Sequence, residues 1–518
     1  MPSTPYMACA ETRVDRHMAA LLTLIEHVMS SKLDSTASAI NINMRQKVVR
    51  KVAVVGAGAS GAAAAAALKA EDHFDDIQVF ERKESPGGTW IYDRDPGDLP
   101  ITPGALPPQL DTPLEIPESL PTTTLASTQH RYDKTPIYEQ LTTNVPDVAM
   151  SFTDRPFAYG PFVPHWIPKQ YLEDYFSHHH LDQHLHLNTT VEDITVLAKN
   201  RWRLTLRRYD AARHVDDWWQ DEFDAVVIAN GHYSVPFVPY VPGINEFREK
   251  FPGRIVHSKV FRTAREYANQ RVMVIGNSAS GYDVAHILLA SKLLKGPVYV
   301  SRRSPGRWDG KYPPAGMFWK PIITRYNSDG SILFSDGSVL FGIDKIIYCT
   351  GYQPSYPFWN TNANGRPLYS YKDSRLINNF QHTFIRDFPT LAFIGIPRVL
   401  TFRSFEYQAI AIARLWSSRS SRPLPSRQDM KSWEEDRGNT TKITHAKFHH
   451  IEWTNGETMD WFRWLFEFAG LPRIEGEGKC PPVLGEATRW AIEHIKKYPE
   501  VGEWEDVGRE KSDALWFL

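Results

Sequence analysis

The run VRKVAVVG at residues 49–56 passes into the turn GAGASG and then into six consecutive alanines, Ala62–Ala67. A short valine-rich strand, a glycine turn and a stretch of the best helix former predict strand, turn and helix in direct succession. The next apolar run, IQVFE at 77–81, reads as a second parallel strand, so residues 50–81 form a βαβ unit. Gly56, Gly58 and Gly61 hold the G-x-G-x-x-G spacing at the start of the helix. In such a unit the first glycine permits the tight turn and the second leaves room for a pyrophosphate at the helix amino end. The third lets helix and sheet approach closely, and Ser60 stands inside the turn. Glu81 follows Gly61 by 20 residues at a strand end, where a carboxylate accepts from ribose hydroxyls, with Arg82 beside it. The pattern predicts a dinucleotide site, extended by Gly87, Gly88 and Trp90 in ERKESPGGTW.

The same succession returns about 220 residues later in RVMVIGNSASGYDVAHILLA, residues 271–290. Gly276 and Gly281 are kept, and Ser278 takes the middle position, followed by Ala279 and Ser280. The strand VYVSRR at 298–303 ends on Ser301, Arg302 and Arg303 in place of a carboxylate. Guanidinium groups there favour a 2'-phosphate, hence NADPH over NADH. The two turns predict an α/β fold with two dinucleotide-binding Rossmann-like domains. The expected segments are an N-terminal helical extension at 1–48, a first dinucleotide-binding part at 49–229, the NADPH domain at 230–345, and a part with a C-terminal helical region at 346–518. Eight prolines between 96 and 121 exclude a regular helix or central strand and predict an extended excursion. Residues 417–430 read as a linker or cap.

At 518 residues the chain is long enough for two to four domains with a large core. A net charge of -1 offers no overall basic field for nucleic acid. Cys9, Cys349 and Cys480 are far apart and show no Cys-x-x-Cys spacing, which argues for a reduced, cytoplasmic interior and against a disulfide reductase. No 18-residue apolar run provides a transmembrane anchor, and residues 13–30 are expected to form an amphipathic helix rather than a signal peptide. His178, His179, His180, His184 and His186 lie on a helix and the strand after it, so they cannot converge on a metal. Ser60 and Ser280 sit in nucleotide turns, not in a G-x-S-x-G elbow.

Between the two turns lies FPGRIVHSKVF, residues 251–261, with Phe251, Gly253, His257 and Phe261 in the order F-x-G-x-x-x-H-x-x-x-F/Y/W. This segment resembles the fingerprint of the flavin-containing monooxygenases, a family of the class B flavoprotein monooxygenases, and GNSASG is similar to its fungal-like members. Over about residues 50–416 further stretches resemble the family: YEQLTTNVP, ANGHYSVP, YCTGY and TFRSFEYQA. The resemblance implies FAD and NADPH/NADP+ as cofactors, the NADPH domain at 230–345 inserted in an FAD domain made of 49–229 and 346–518, FAD contacts at Glu81 and near Trp90, Asn144 beside the reactive flavin edge, and Glu406 and Gln408 along the ring system. His257 is expected to orient the linker between domains and stands with Asn144 as a catalytic candidate. The implied reaction is reduction of FAD by NADPH, addition of O2 at the flavin C4a carbon, and transfer of one oxygen atom to a soft nucleophile, an amine nitrogen or a sulfide sulfur. Phe261 followed by Arg262 resembles the amine and sulfur oxidisers, whereas Baeyer–Villiger relatives end on Trp followed by Pro or Asp. Ketone oxygenation and a non-enzymatic FAD- and NADPH-binding protein stay as alternatives. The expected partners are the small substrate and O2, with a homo-oligomer left open. The excursion at 96–121 and the segment 304–318 are expected to shape substrate access.

Overall fold

The first expected strand forms as β1, Lys51–Val55, followed by helix α1, Ala59–Ala70, and by β2, Asp76–Phe80, parallel to β1. This computed structural model describes residues 48–498 apart from 158, 398 and 474–476. The helix expected over 13–30 lies outside the described residues. From Val49 onward the described chain belongs to one unit. Further along come helix α2, Trp166–His178, and strand β3, Ala225–Ile228, which pairs with β1 on the side away from β2. The second nucleotide motif is β4, Val272–Ile275, helix α3, Ala279–Ser291, and β5, Val298–Ser301. After it come β6, Lys345–Tyr348, and β7, Phe388–Phe393. Helices α4, Thr401–Trp416, α5, Arg427–Ile443, α6, Glu457–Ala469, and α7, Glu486–His494, close the described chain.

Two separate sheets carry the two motifs. The first has seven strands in the order 379–380, 384–385, β7, β3, β1, β2, 185–186. Its inner strands β1 and β3 are apolar almost throughout and buried on both faces, as parallel strands covered by helices require. The second sheet has five parallel strands in the order 255–257, β6, β4, β5, 317–320. Because β6 is wedged between two strands of the inserted sheet, that domain extends past the expected end at 345 to include Tyr348. The tail also departs from expectation: α5 begins at Arg427, inside the stretch read as a linker, because the Ser426 hydroxyl accepts from the Asp429 amide and caps it. As its prolines require, the excursion at 96–121 has no regular structure beyond one helical turn at Pro107–Leu110. None of the described helices is long and apolar enough to cross a membrane.

Helix α1 joins the beginning and end of the sequence. Residues Ala59–Leu68 are all buried, and α1 packs directly on α4, some 340 residues later. Methyl side chains let the two backbones approach closely, while α6 covers α4 from outside, with Tyr407 and Phe462 stacked at 4.4 Å. At the carboxyl end of α1 the Glu71 carboxylate, 1% exposed, pairs with Arg414 of α4 at 3.1 Å and accepts from Ser417 Oγ. Arg414 also donates to the carbonyls of Glu477 and Lys479.

Glu71→Ala strands a buried guanidinium without its counter-charge and should cost about 3–5 kcal/mol in unfolding free energy, with Glu71→Met/Arg414→Met recovering most of it. Chemical denaturation of the three proteins measures this. A second expectation concerns acid. His449 accepts from the Leu376 amide at Nε2, so its Nδ1–H donates to His382 Nδ1 at 2.9 Å. Burial holds His382 well below the ordinary value and lowers His449 to about 3. The unfolded chain therefore binds protons that the folded one refuses. This stability is whole above about pH 6.5 and is lost progressively as pH falls toward about 3. The melting temperature should drop between pH 7 and pH 5, and Asp- or Glu-based ion pairs alone would not place the fall there.

Candidate functional site

The first glycine turn is fixed by space as much as by torsion. Gly56 has φ +106°, and a Cβ there would stand 2.6 Å from the Ala229 carbonyl oxygen. A Cβ on Gly61 would lie 1.9 Å from the Gly56 oxygen, so helix and turn touch through backbone alone. Gly58 has an ordinary extended backbone, φ -78°, and its demand is different: the Gly88 Cα passes within 3.4 Å of where a Cβ would be. The second turn repeats the shape, with Gly276 at φ +101° and Gly281 against the Gly276 oxygen at 2.1 Å. Ser278 adopts φ -77°, ψ -172°, nearly the values of Gly58, so the serine is accommodated without strain.

A cleft opens at the carboxyl ends of β1, β2 and β3, beside the place where the strand order switches direction. Gly56, Gly58, Ser60, Glu81, Arg82, Gly88 and Trp90 line it, whereas Gly61 sits behind the turn. Glu81 accepts from the Ala57 amide at 2.9 Å and from the Lys83 amide at 3.0 Å. The carboxylate thus also holds the turn, with lone pairs remaining for ribose hydroxyls. Arg82 donates to the carbonyls of Arg131 and Tyr132 and to Ser234 Oγ, tying together two loops of the cleft wall. The amide groups opening α1 lack intrahelical acceptors, and Arg82 and Lys134 add positive charge, while Lys83 is paired with Asp93 at 3.0 Å and Arg131 with Glu192 at 2.8 Å. These groups fit the pyrophosphate and ribose of a flavin dinucleotide.

At the end of the cleft nearer α4, the two polar residues expected along the ring system are both engaged within the protein. Glu406, 1% exposed, accepts from the Thr153 amide and hydroxyl and lies 3.3 Å from Lys479, so it anchors the loop at 153. Gln408 accepts from the Gly395 amide and donates to Thr383 Oγ1. Neither lines the cleft, while Phe402, Phe405 and Gly395 do. The two phenylalanines lie three residues apart on one face of α4, within the stretch TFRSFEYQA. Asp111 of the proline-rich excursion also lines the cleft, held by Ser355 Oγ at 2.7 Å and beside Arg131 at 3.5 Å. No periodicity in that segment could have signalled it. Asn144 stands in the loop before a short helical turn, Asp147–Met150. Its Nδ2 is buried and has no hydrogen-bond partner, though Asn144 is not among the residues lining the cleft.

His257 is fully buried, and both ring nitrogens are used: Nδ1 accepts from the Lys259 amide and Nε2 donates to the Gly351 carbonyl at 3.1 Å. Burial lowers its pKa to about 3. A neutral ring with both nitrogens engaged holds its neighbours in place, which fits the expected role of orienting the linker between domains. The position it holds is the crossing between the sheets, where Val235–Pro236 pairs with Tyr352–Gln353 and Thr350 Oγ1 donates to the Phe237 carbonyl. Asn230 donates to the Ser355 carbonyl at the same crossing. Arg262, 2% exposed, donates to the carbonyls of Asp93, Lys259, Phe261 and Thr135.

At the second turn Ser278 is exposed at the amino end of α3, with Ala279 and Ser280 in its first turn. Ser301 is buried and donates to the Pro321 carbonyl. Arg302 pairs with Asp309 at 2.5 Å and lies over the Trp319 ring at 3.5 Å, so its charge is already met. Arg303 is exposed. Among the described residues no cluster of histidine, cysteine and carboxylate side chains could hold a metal.

Comparison with known proteins agrees with this geometry. The flavin-binding monooxygenase-like family matches residues 126–310, and an NAD(P)-binding Rossmann-like domain matches residues 54–106. The chain is 31% identical over 440 residues to flavin-containing monooxygenase FMO GS-OX5 of Arabidopsis thaliana, covering 81% of this chain and 85% of that one. FMO GS-OX2 of the same plant is 29% identical over 88% of this chain and 92% of its own. Among solved structures, S-allyl-L-cysteine S-oxygenase from Allium sativum superposes with a TM-score of 0.67 at 27% identity, covering 88% of this chain and 95% of that one. Tmm from Pelagibacter, at 22% identity and a TM-score of 0.60, shares the fold. With two nucleotide turns built alike and such identity sustained over most of a relative's length, the chain belongs to the flavin-containing monooxygenase family, whose cofactors are FAD and NADPH.

Proposed function

We propose that this protein uses NADPH and O2 to place one oxygen atom on the sulfur of an organic sulfide. The observation that carries the reading is the pair of like-shaped glycine turns on two sheets of one unit, one opening on a cleft fitted to a flavin dinucleotide. The likeness to an S-oxygenase over 95% of its chain supports sulfur as the acceptor. Bound FAD supplies the redox chemistry, so that NADPH, a proton, O2 and the sulfide give NADP+, water and the sulfoxide. The chain's own residues bind and orient. The turn at Gly56, Gly58, Ser60 and Gly61 receives the pyrophosphate, and Glu81 the ribose. Gly88 and Trp90, with Phe402 and Phe405, flank the remainder, while Gln408 holds the Gly395 backbone in place. Asn144 offers its unpartnered amide as the hydrogen-bond donor beside the reacting oxygen. The turn at Gly276, Ser278, Ala279, Ser280 and Gly281 receives NADPH, with exposed Arg303 reading the 2'-phosphate.

Anaerobic NADPH should bleach the yellow holoprotein, and subsequent air with an alkyl cysteine sulfide should yield sulfoxide in step with NADPH consumed. Bleaching followed only by hydrogen peroxide would overturn the oxygenase reading. A tertiary amine oxidised in preference to any sulfide would move the acceptor to nitrogen. Arg303→Ala should raise the KM for NADPH about ten- to hundredfold while kcat and the NADH reaction change little. Arg302→Ala should instead act through the loop that Asp309 holds, and equal effects of Arg303→Ala on both nucleotides would refute the assignment.

A further inference from the structure

One carboxylate collects donors from three distant parts of the chain. Asp283 lies in α3, five residues after the turn residue Ser278, with its side chain 12% exposed. The Tyr138 hydroxyl donates to its Oδ2 at 2.5 Å, and Lys497 Nζ lies 3.3 Å from the same oxygen. The Tyr498 hydroxyl donates to Oδ1. Tyr138 belongs to the segment that leads to Asn144, and its ring packs on Phe261 of the fingerprint at 5.7 Å. Lys497 also donates to the Thr142 carbonyl at 3.3 Å, two residues before Asn144. The residues at 495–498 thus form a strap from the end of α7, which packs against Asp147–Met150, to the start of α3.

The strap is seated beside the second nucleotide turn. The Tyr498 ring lies 4.8 Å from Tyr282 and 5.4 Å from Trp308. The neighbour of Trp308, Asp309, accepts from Asn277 of the turn at 2.9 Å. A helix is stiff along its axis, so whatever holds Asp283 also sets where the turn at Gly276–Gly281 stands relative to the Asn144 loop. Burial raises the Tyr138 phenol well above its ordinary value, which keeps it a donor. Hydride transfer is steep in distance, and misplacement by about 1 Å can cost a hundredfold.

We infer that Asp283 is a positioning residue for reduction of the flavin by NADPH, latching Tyr138, Lys497 and Tyr498 so that α3 and its nucleotide turn are held against the Asn144 loop. The inference rests on the NADPH-dependent reading. Asp283→Asn keeps the shape but removes the charge and part of the accepting capacity. Lys497→Met/Tyr498→Phe removes the strap's donors and leaves the α3 carboxylate in place.

Three measurements on the FAD-loaded proteins test it. In anaerobic stopped flow, flavin reduction at saturating NADPH should slow about tenfold or more in both variants, with the Kd for NADP+ within about threefold of the parent. Trypsin should cut after Lys496 and Lys497 about fivefold faster in Asp283→Asn, reporting release of the strap without any turnover. Melting temperature and FAD content should stay close to the parent. Reduction within twofold of the parent in both variants overturns the inference. Slow reduction accompanied by FAD loss and an equal drop in melting temperature overturns it too, since that marks a general structural role. A parent protein that NADPH fails to bleach defeats the functional reading instead, and the trypsin result still decides whether Asp283 holds the strap.

Discussion

The packing of α1 between its sheet and α4 is the contact on which the architecture depends. A helix buried along ten consecutive positions, Ala59–Leu68, has no solvent face, and it can be enclosed so tightly only because its side chains are mostly methyl groups. Larger residues would push α4 outward. That movement would carry Phe402, Phe405 and the backbone around Gly395 away from the turn that faces them across the cleft. The Glu71–Arg414 pair locks the same contact at its far end. A buried ion pair gives little net stability, but it penalises any arrangement in which the two helices are not in register.

Inserting one nucleotide domain in another creates a second problem, since two chain crossings must hold two sheets in a fixed relation. The structure meets it with backbone hydrogen bonds made by buried polar side chains. His257, Arg262 and Lys259 sit within six residues of one another and spend their donors on main-chain carbonyls from segments near 93, 132–135, 234 and 351. Read as sequence, the fingerprint places His257 where it is expected to orient the linker between domains. In three dimensions it behaves as a bracket, and burial explains why: a histidine lowered to about 3 and a buried guanidinium surrounded by carbonyls are built to hold, not to react. The Asp283 cluster acts on the opposite side of the same problem, drawing the chain's last described residues onto the helix that begins at the second turn.

Much of this was legible from local rules. Close backbone approach demands glycine at 56, 61, 276 and 281, and the apolar runs predict the strands that form as β1, β2, β4 and β5, because each depends on neighbours a few residues away. What could not be read were contacts made at long range by residues without a local pattern. Asp111 reaches the cleft from a proline-rich segment, Ser355 comes to meet it from the other end of the sequence, and β6 enters the middle of a sheet whose other strands precede it. Beside the cleft, Glu406 and Gln408 support the backbone through long-range partners while Phe402 and Phe405 line the opening, a division of labour that no local pattern in TFRSFEYQA signals.

The sequence by itself determined the two nucleotide turns, their order, the chemistry of the cofactors they receive and the family. The turns follow from sterics within about 30 residues, where spacing fixes geometry, and the cofactors and family follow from the resemblance carried by the fingerprint at 251–261. Only the tertiary structure decided which cations remain available and which are already paired. Arg302 and Arg303 are equivalent letters in VYVSRR, yet one is neutralised by Asp309 and stacked on Trp319, and the other is exposed. The physical reason is that a charge's role depends on its counter-charge and its solvent, and both are supplied by residues the chain brings together only when it folds.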